Sequence, residues 1–448
     1  MTPAARAQAV IELLAMIAAT PRPADTLAGS YFRARRYIGS KDRAGISASL
    51  YDILRHQARL RWWLQKLLAA DTPRTRLLVY ELLVRAAPPQ QVRELFNGGK
   101  FAPALLDGAE ARLLRDLEGH TLHHPAIPEP IAVECPEWAV ASLKLRFGKD
   151  FAAELRALLE AAPLDIRVNT IKATREDILA TLQKTAIAAQ PCRFSPLGIR
   201  LRDRPALTAL PMLKEGRVDI QDEGSQLIAL AVDARPGHRV VDFCAGAGGK
   251  TLALGAQMKN KGRIIACDVM ALRLGRSADR FRRAGLHNIE LRPLKNENDP
   301  WVKKHKSEFD RVLVDAPCSG SGAWRRNPDS RWHSLGPGLD ALIKLQAAIL
   351  ESAARLVKPG GRLIYATCSL LPEENEAQVE AFLAANIQFR LVAFDEVWRV
   401  THENNGLACS ATPSPGPYLS LTPLRHETDG FFAAVIEKAA EKTAPEKS

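Results

Sequence analysis

Along the first 118 residues, apolar side chains recur three and four positions apart. Val10, Ile11, Leu13, Leu14 and Ile17 form one such series, Ile53, Leu54, Leu60, Leu64, Leu67 and Leu68 a second, and Leu77, Leu78, Leu82 and Leu83 a third. This is the stripe of amphipathic helices, and it predicts an all-helical region over 1–118. Residues 119–136 interrupt the pattern with four prolines and three histidines (His120, His123, His124) and read as a linker. A helical pattern returns from Glu137 to Leu159. Asp165 to Asn169 then reads as a strand, Arg175 to Lys184 as a helix and Ile199 to Leu201 as a strand, a small α+β module over 137–217. From residue 218 onward strand and helix patterns alternate. They predict strand 239–243, helix 250–258, strand 263–268, helix 271–284, strands 288–292 and 311–315, helix 339–357, strand 362–367 and helix 373–385. Such alternation predicts a parallel sheet with helices on both faces, and ligands of such sheets bind at the carboxyl ends of the strands. The charged run 438–448 reads as a disordered tail.

Composition narrows the partner class. The chain has 448 residues, 46% apolar and 25% charged, which suits a globular protein of two or three domains. Its formal net charge is +12 and favours a polyanionic partner. Between Tyr31 and Lys66, nine lysines or arginines stand against two acids (Asp42 and Asp52), a surplus of seven, with Tyr31, Phe32, Tyr37, Tyr51, Trp62 and Trp63 interleaved. Two readings are open. Either the stretch contacts RNA through phosphates and stacking, or its aromatics are core and its arginines are solvated. Seven cysteines occur without a C-x-x-C pair, so neither a disulfide frame nor a metal site is expected, and the setting is a reducing cytoplasm. Glu12 interrupts the apolar stretch from Ala9 to Thr20, which reads as a first helix rather than a signal peptide. No stretch approaches the roughly 18 apolar residues of a membrane span.

The chemistry concentrates where the third region begins. The run Val240 to Thr251 carries a β-branched strand into a turn of small residues and then a helix, which aims backbone N–H groups and a positive helix end at one point. The turn fits a nucleoside cofactor. It also nearly fits a phosphate loop, since Gly249-Lys250-Thr251 ends that motif while Cys244 stands where its first glycine belongs, and Val312 to Asp315 imitates the strand that holds magnesium there. Asp268 ends the next strand, 20 positions beyond Gly248, where an acid binds ribose hydroxyls. Cys318 and Cys368 follow two further strands, and a thiolate is the strongest nucleophile a side chain offers near neutral pH.

The runs Asp242 to Thr251, Asp315 to Gly320 (DAPCSG), Arg326 to Asp329 and Thr367 to Glu376 (TCSLLPEENE), with Gln221 to Gln226 and Asp429 to Phe432, together resemble the RNA cytosine-5 methyltransferases of the RsmB/NOP type. The first region is similar to the NusB-like RNA-binding domain of the family's bacterial small-subunit ribosomal RNA enzyme. The resemblance implies an α/β protein: a Rossmann-like class I methyltransferase domain over 218–437, preceded by the α+β module and an all-α NusB-like domain. It implies S-adenosylmethionine as cofactor, held by Cys244, Ala245, Gly246, Ala247, Gly248, Gly249 and Lys250, with Asp268 on the ribose and Arg273 in the following helix. Asp315 would also border the cofactor. The family's usual adenine-side aspartate is absent, and Asn296, Glu297 or Asn298 stands in its place, Asn296 being the first choice. Cys368 would attack carbon 6 of cytosine, Asp315 would hold the base edge, and Cys318 would assist release. Arg325, Arg326 and Arg331, with Trp332, would grip RNA beside the target base. A monomer acting on ribosomal RNA is expected, with transfer RNA as the alternative substrate and a non-catalytic RNA-binding assembly factor as the alternative role.

Overall fold

The structure is a computed structural model that describes residues 1–202, 205, 210–332, 336–405 and 412–440. The chain forms two compact units: Met1–Ala161 with Trp324–Gly338, and Ala162–Ala323 with the chain from Leu339 onward. The sequence pattern instead predicts a helical domain, a separate α+β module and a methyltransferase domain. Helices Glu137–Phe147 and Phe151–Ala157 fall in the helical unit, and the small sheet falls in the catalytic unit.

The first unit is helical, as its periodicity requires. Helix Pro3–Ala19 starts on Thr2, whose hydroxyl accepts the Ala5 N–H, and Pro73–Leu83 and Gly108–Asp116 start on reciprocal capping boxes at Thr72 and Asp107. Leu13, Ile46, Leu50, Ile53, Leu60, Leu64, Leu78 and Phe96 make one core. The basic aromatic stretch divides between its two readings. Tyr31 and Trp63 belong to the core, Arg59 is buried against Glu134, and Tyr37 is 76% exposed. Residues 119–136 do not form a solvated linker. Leu122, Val133 and Cys135 are buried, and Glu134, 0% exposed, accepts the Ala58 N–H (2.7 Å), the Arg59 N–H (3.2 Å) and the Arg59 Nε–H (2.9 Å) at the start of helix Gln57–Lys66. An anion at that end satisfies otherwise unpaired amides and the helix dipole.

Residues 324–332 correct a second expectation. Arg331 is 1% exposed; Nη1 donates to the Glu134 carbonyl (3.3 Å), Nη2 to the Leu158 carbonyl (2.8 Å), and its guanidinium lies 5.1 Å from the ring centre of buried Trp324. Arg325 is also buried, and its carbonyl accepts from Arg55. Arg331 and Arg325 therefore hold this segment within the helical unit and are not free to grip RNA phosphates. Arg326 is half-buried, and Trp332 donates its indole N–H to the Leu54 carbonyl (3.1 Å).

The second unit holds two sheets. The strands are β1 Leu164–Val168, β2 Ala189–Pro191, β3 Gly198–Leu201, β4 Val218–Ile220, β5 Arg239–Asp242, β6 Arg263–Asp268, β7 Ile289–Pro293, β8 Phe309–Asp315, β9 Val357–Thr367, β10 Phe389–Val392, β11 Leu419–Leu421 and β12 Phe431–Lys438. The small antiparallel sheet runs β2-β3-β1-β4, and helix Arg175–Lys184 packs on it through Ile178 and Leu182. Behind it, Asp165 and Glu223 share Arg200 (2.8 and 3.5 Å), while Glu223 also accepts the Phe194 and Ser195 N–H groups. These acids and Cys192 sit close enough to hold a metal ion, but the guanidinium and amides take up their oxygens.

The large sheet runs β10-β12-β9-β8-β5-β6-β7, with β11 paired to β12. Strands β5 to β9 are parallel, and alternate residues feed separate cores on the two faces. Val241, Val312, Val314 and Leu363 enter one core; Val240, Leu313 and Ile364 enter the other. The predicted helix 271–284 is broken at Arg276 into Ala271–Gly275 and Ser277–Ala284. Helix 373–385 begins only at Glu376, after a 3₁₀ turn Pro372–Glu374. Antiparallel β12 inserts between β9 and β10 and extends to Lys438, whose ammonium donates to the Val357 carbonyl (2.9 Å); the expected disordered tail otherwise lies outside the described residues from 441. Among the described residues, no helix is long and apolar enough to cross a membrane.

Candidate active site

The carboxyl ends of β5, β6, β8 and β9 gather most of the expected site residues. After β5 the chain turns through Cys244 to Gly248 into helix Gly249–Gln257. Gly248 has φ +78°, and a Cβ there would lie 2.6 Å from the Phe281 ring, so the turn needs glycine for both conformation and space. Asp268, at the end of β6, accepts the Gly246 N–H (2.7 Å) and the Met270 N–H (2.7 Å), which joins turn and strand. Arg273 lies against Gly246: a Cβ there would sit 3.3 Å from the guanidinium carbon. Asn296 is exposed beyond β7, its Oδ1 accepting the Asn298 N–H (2.9 Å).

Beneath the turn Asp242 is fully buried. Its Oδ2 accepts the Thr251 hydroxyl (2.7 Å), and its Oδ1 has no partner. Burial raises its carboxyl to about 7, against the opposing pull of that hydrogen bond. Lys250 Nζ pairs with Asp315 Oδ2 at 2.7 Å. Burial alone would lower the Lys250 pKa, but the charge and hydrogen bond of Asp315 outweigh it and hold the ammonium above its ordinary value. These contacts remove the phosphate-loop reading, because the Thr251 hydroxyl and the Lys250 ammonium are both turned inward onto carboxylates. The same turn fits S-adenosylmethionine: an orphaned buried carboxylate oxygen lies below it, matched to a cationic ligand, and an acid stands at the end of the neighbouring strand.

Cys318 and Cys368 come from loops after β8 and β9, and their sulfurs are 3.4 Å apart. The hydrogen bond to Cys368, followed by burial, pushes the Cys318 thiol well above the ordinary cysteine value, so Cys318 keeps its proton. The two loops are joined further. The Gly322 N–H donates to the Cys368 carbonyl (2.9 Å), and the Gly430 N–H to the Gly322 carbonyl (2.8 Å). Asp242, Glu374 and Gly430 were not singled out from the sequence as site residues. Glu374 lies in the acidic run after Cys368, but its partner Ser319 is 55 positions away, a separation that periodicity does not reveal.

Comparison with known proteins gives the family and the fold. Residues 229–437 match the family model of the 16S rRNA methyltransferase RsmB/F, and residues 135–208 match the ferredoxin-like domain of RsmF/B-like methyltransferases. Ribosomal RNA small subunit methyltransferase B of Yersinia enterocolitica is 30% identical over 430 residues, covering 90% of this chain and 92% of that protein. A probable ribosomal RNA small subunit methyltransferase B of Synechocystis is 35% identical over 309 residues, covering 68% and 67%. Among solved structures, PH0851 is 26% identical with a TM-score of 0.78 over 98% of this chain and 99% of that one. NSun6 from Pyrococcus horikoshii, solved with the S-adenosylmethionine analogue SFG, is 20% identical with a TM-score of 0.58 over 68% and 99%, and shares the fold.

Proposed function

Because the chain belongs to the RsmB/F family of S-adenosylmethionine-dependent ribosomal RNA methyltransferases, we propose that it methylates carbon 5 of a cytosine in small-subunit ribosomal RNA through a covalent adduct on Cys368. The observation that carries this reading is the pair of thiols 3.4 Å apart beside the Lys250–Asp315 ion pair. Carbon 5 of cytosine is a poor nucleophile. Addition of the Cys368 thiolate to carbon 6 makes the ring enamine-like as nitrogen 3 takes up a proton from solvent, and the Asp315 carboxylate accepts a hydrogen bond from that N–H. Lys250 fixes the orientation of Asp315. When bound, S-adenosylmethionine supplies an electrophilic methyl group on a sulfonium; the Cys244 to Lys250 turn, Asp242, Asp268 and Arg273 would hold it. After carbon 5 is methylated, its proton passes to a solvent water, Cys368 is expelled and nitrogen 3 returns its proton to solvent, which restores aromaticity. Cys318, protonated and in contact with the departing sulfur, assists that release.

The base must be unpaired or extracted to reach these groups, which costs a few kcal/mol in a duplex. On the helical unit, exposed Arg33, Arg36, Tyr37 and Lys41 offer phosphate contacts and a stacking face for the surrounding RNA. A reducing cytoplasm keeps both thiols free. Labelled S-adenosylmethionine with unmodified small-subunit ribosomal RNA, followed by nucleoside analysis, tests the reading. Label in 5-methylcytosine is expected. Label on transfer RNA alone would overturn the substrate, and label on another atom would overturn the chemistry.

A further inference from the structure

We propose that Glu374 is the positioning residue that sets the separation of the two reactive sulfurs, through hydrogen bonds to the residue following each cysteine. Its carboxylate is 0% exposed. Among the described residues no lysine or arginine pairs with it, so neutral donors alone offset its burial. Oε1 accepts the Ser319 N–H (2.8 Å) and the Gln346 Nε2–H (2.9 Å), while Oε2 accepts the hydroxyls of Ser319 and Ser369. Ser319 follows Cys318 and Ser369 follows Cys368, so one carboxylate clasps both Cys-Ser steps. Gln346, from helix Leu339–Ala354, also donates to the Pro317 carbonyl (2.9 Å), which fixes the residue before Cys318 from the same side. Glu374 is itself anchored, because the Tyr365 hydroxyl donates to its carbonyl (2.7 Å) from within β9.

The carboxylate is therefore placed as a clamp across two loops that converge from different strands. An acceptor-only group suits the position, since every partner donates. Glu374→Gln keeps the volume but removes the charge: the seryl hydroxyls must turn to accept from the new amide, and the neutral bonds that result are weaker than those to a carboxylate, so the hold on both Cys-Ser steps loosens. The inference rests on the two-cysteine reading above, but it can be measured without catalysis.

The full-length protein and Glu374→Gln are treated with diamide, whose N=N bond takes up the two electrons and two protons released when two thiols become a disulfide. The Cys318–Cys368 cross-link is followed by peptide mass. The variant is expected to cross-link about tenfold more slowly, with kcat reduced roughly 10- to 100-fold and KM for S-adenosylmethionine within about twofold of the parent. An unchanged cross-linking rate, or slowed cross-linking with unchanged kcat, would overturn the proposal. Were Glu374→Gln to lose its cooperative melting transition, Ser319→Ala with Ser369→Ala removes the two clamped hydroxyls while leaving the carboxylate in place, and the same outcomes decide. An inactive parent enzyme would count against the methyltransferase reading alone, since the cross-linking rates still report on Glu374.

Discussion

Asp242 carries the sharpest consequence for a single side chain. Its carboxyl rises to about 7 in the fold, mainly through burial, whereas an unfolded aspartate titrates near ~4. Between these values the native state binds the extra proton. The contribution of Asp242 to stability is therefore fully present below about pH 4, is lost as pH rises through 7, and is flat above. Asp242→Asn is expected to abolish this slope, with a Tm about 2–4 °C above the parent at pH 8 and no advantage at pH 4. If Oδ1 receives the cofactor's ammonium, the same variant binds S-adenosylmethionine at least ~10-fold more weakly by calorimetry, a loss in keeping with a hydrogen bond to a charged group. A Tm unchanged at pH 8 would count against a buried Asp242 whose ionisation the fold opposes. The sequence made residues of this kind legible only where chemistry and motif coincided, as with Asp268, Asp315 and the two cysteines. Asp242 reads as the last residue of a strand, and only burial and an orphaned oxygen distinguish it.

Among elements, contact between loops explains what periodicity missed. The parallel strands were legible because burial on both faces leaves a continuous β-branched run, as in Arg239–Asp242 and Phe309–Asp315. Residues 389–392, 419–421 and 431–438 did not read as strands of this sheet, since nothing local reveals that the last of them inserts antiparallel beside β9. That insertion brings Gly430 against Gly322, where an added Cβ would lie 2.1 Å from the Gly430 carbonyl oxygen. Gly322→Ala is expected to destabilise the protein by about 1–3 kcal/mol in urea melts and to reduce turnover by disturbing the Cys318 loop. The small sheet depends on a different contact. Arg200 bonds Asp165, Glu223 and Glu427, the first two fully buried. Arg200→Ala leaves two buried carboxylates without a cation, and a loss of about 3–5 kcal/mol is expected; a loss below ~1 kcal/mol would show that backbone amides suffice for Glu223.

For the whole molecule, the charge of +12 indicated a polyanionic partner but not which residues meet it. Arg331 shows why. In sequence it lies in a basic loop after Cys318, yet burial lowers its pKa to about 10 despite the compensating charge of Glu134, and its N–H groups are taken up by carbonyls. Arg331→Ala is expected to destabilise by about 2–5 kcal/mol while leaving the salt dependence of RNA binding unchanged. Arg36→Ala with Lys41→Ala should do the reverse, holding Tm and lowering the slope of log K against log salt by about 1–2. The central claim, that methyl transfer passes through a covalent adduct on Cys368 released with the help of Cys318, is tested most directly on a denaturing gel. Cys318→Ala, Cys368→Ala and the parent are each incubated with RNA and S-adenosylmethionine. Protein–RNA adduct is expected to accumulate in Cys318→Ala and to be absent, along with product, in Cys368→Ala. Product formation by Cys368→Ala at the parental rate would contradict it.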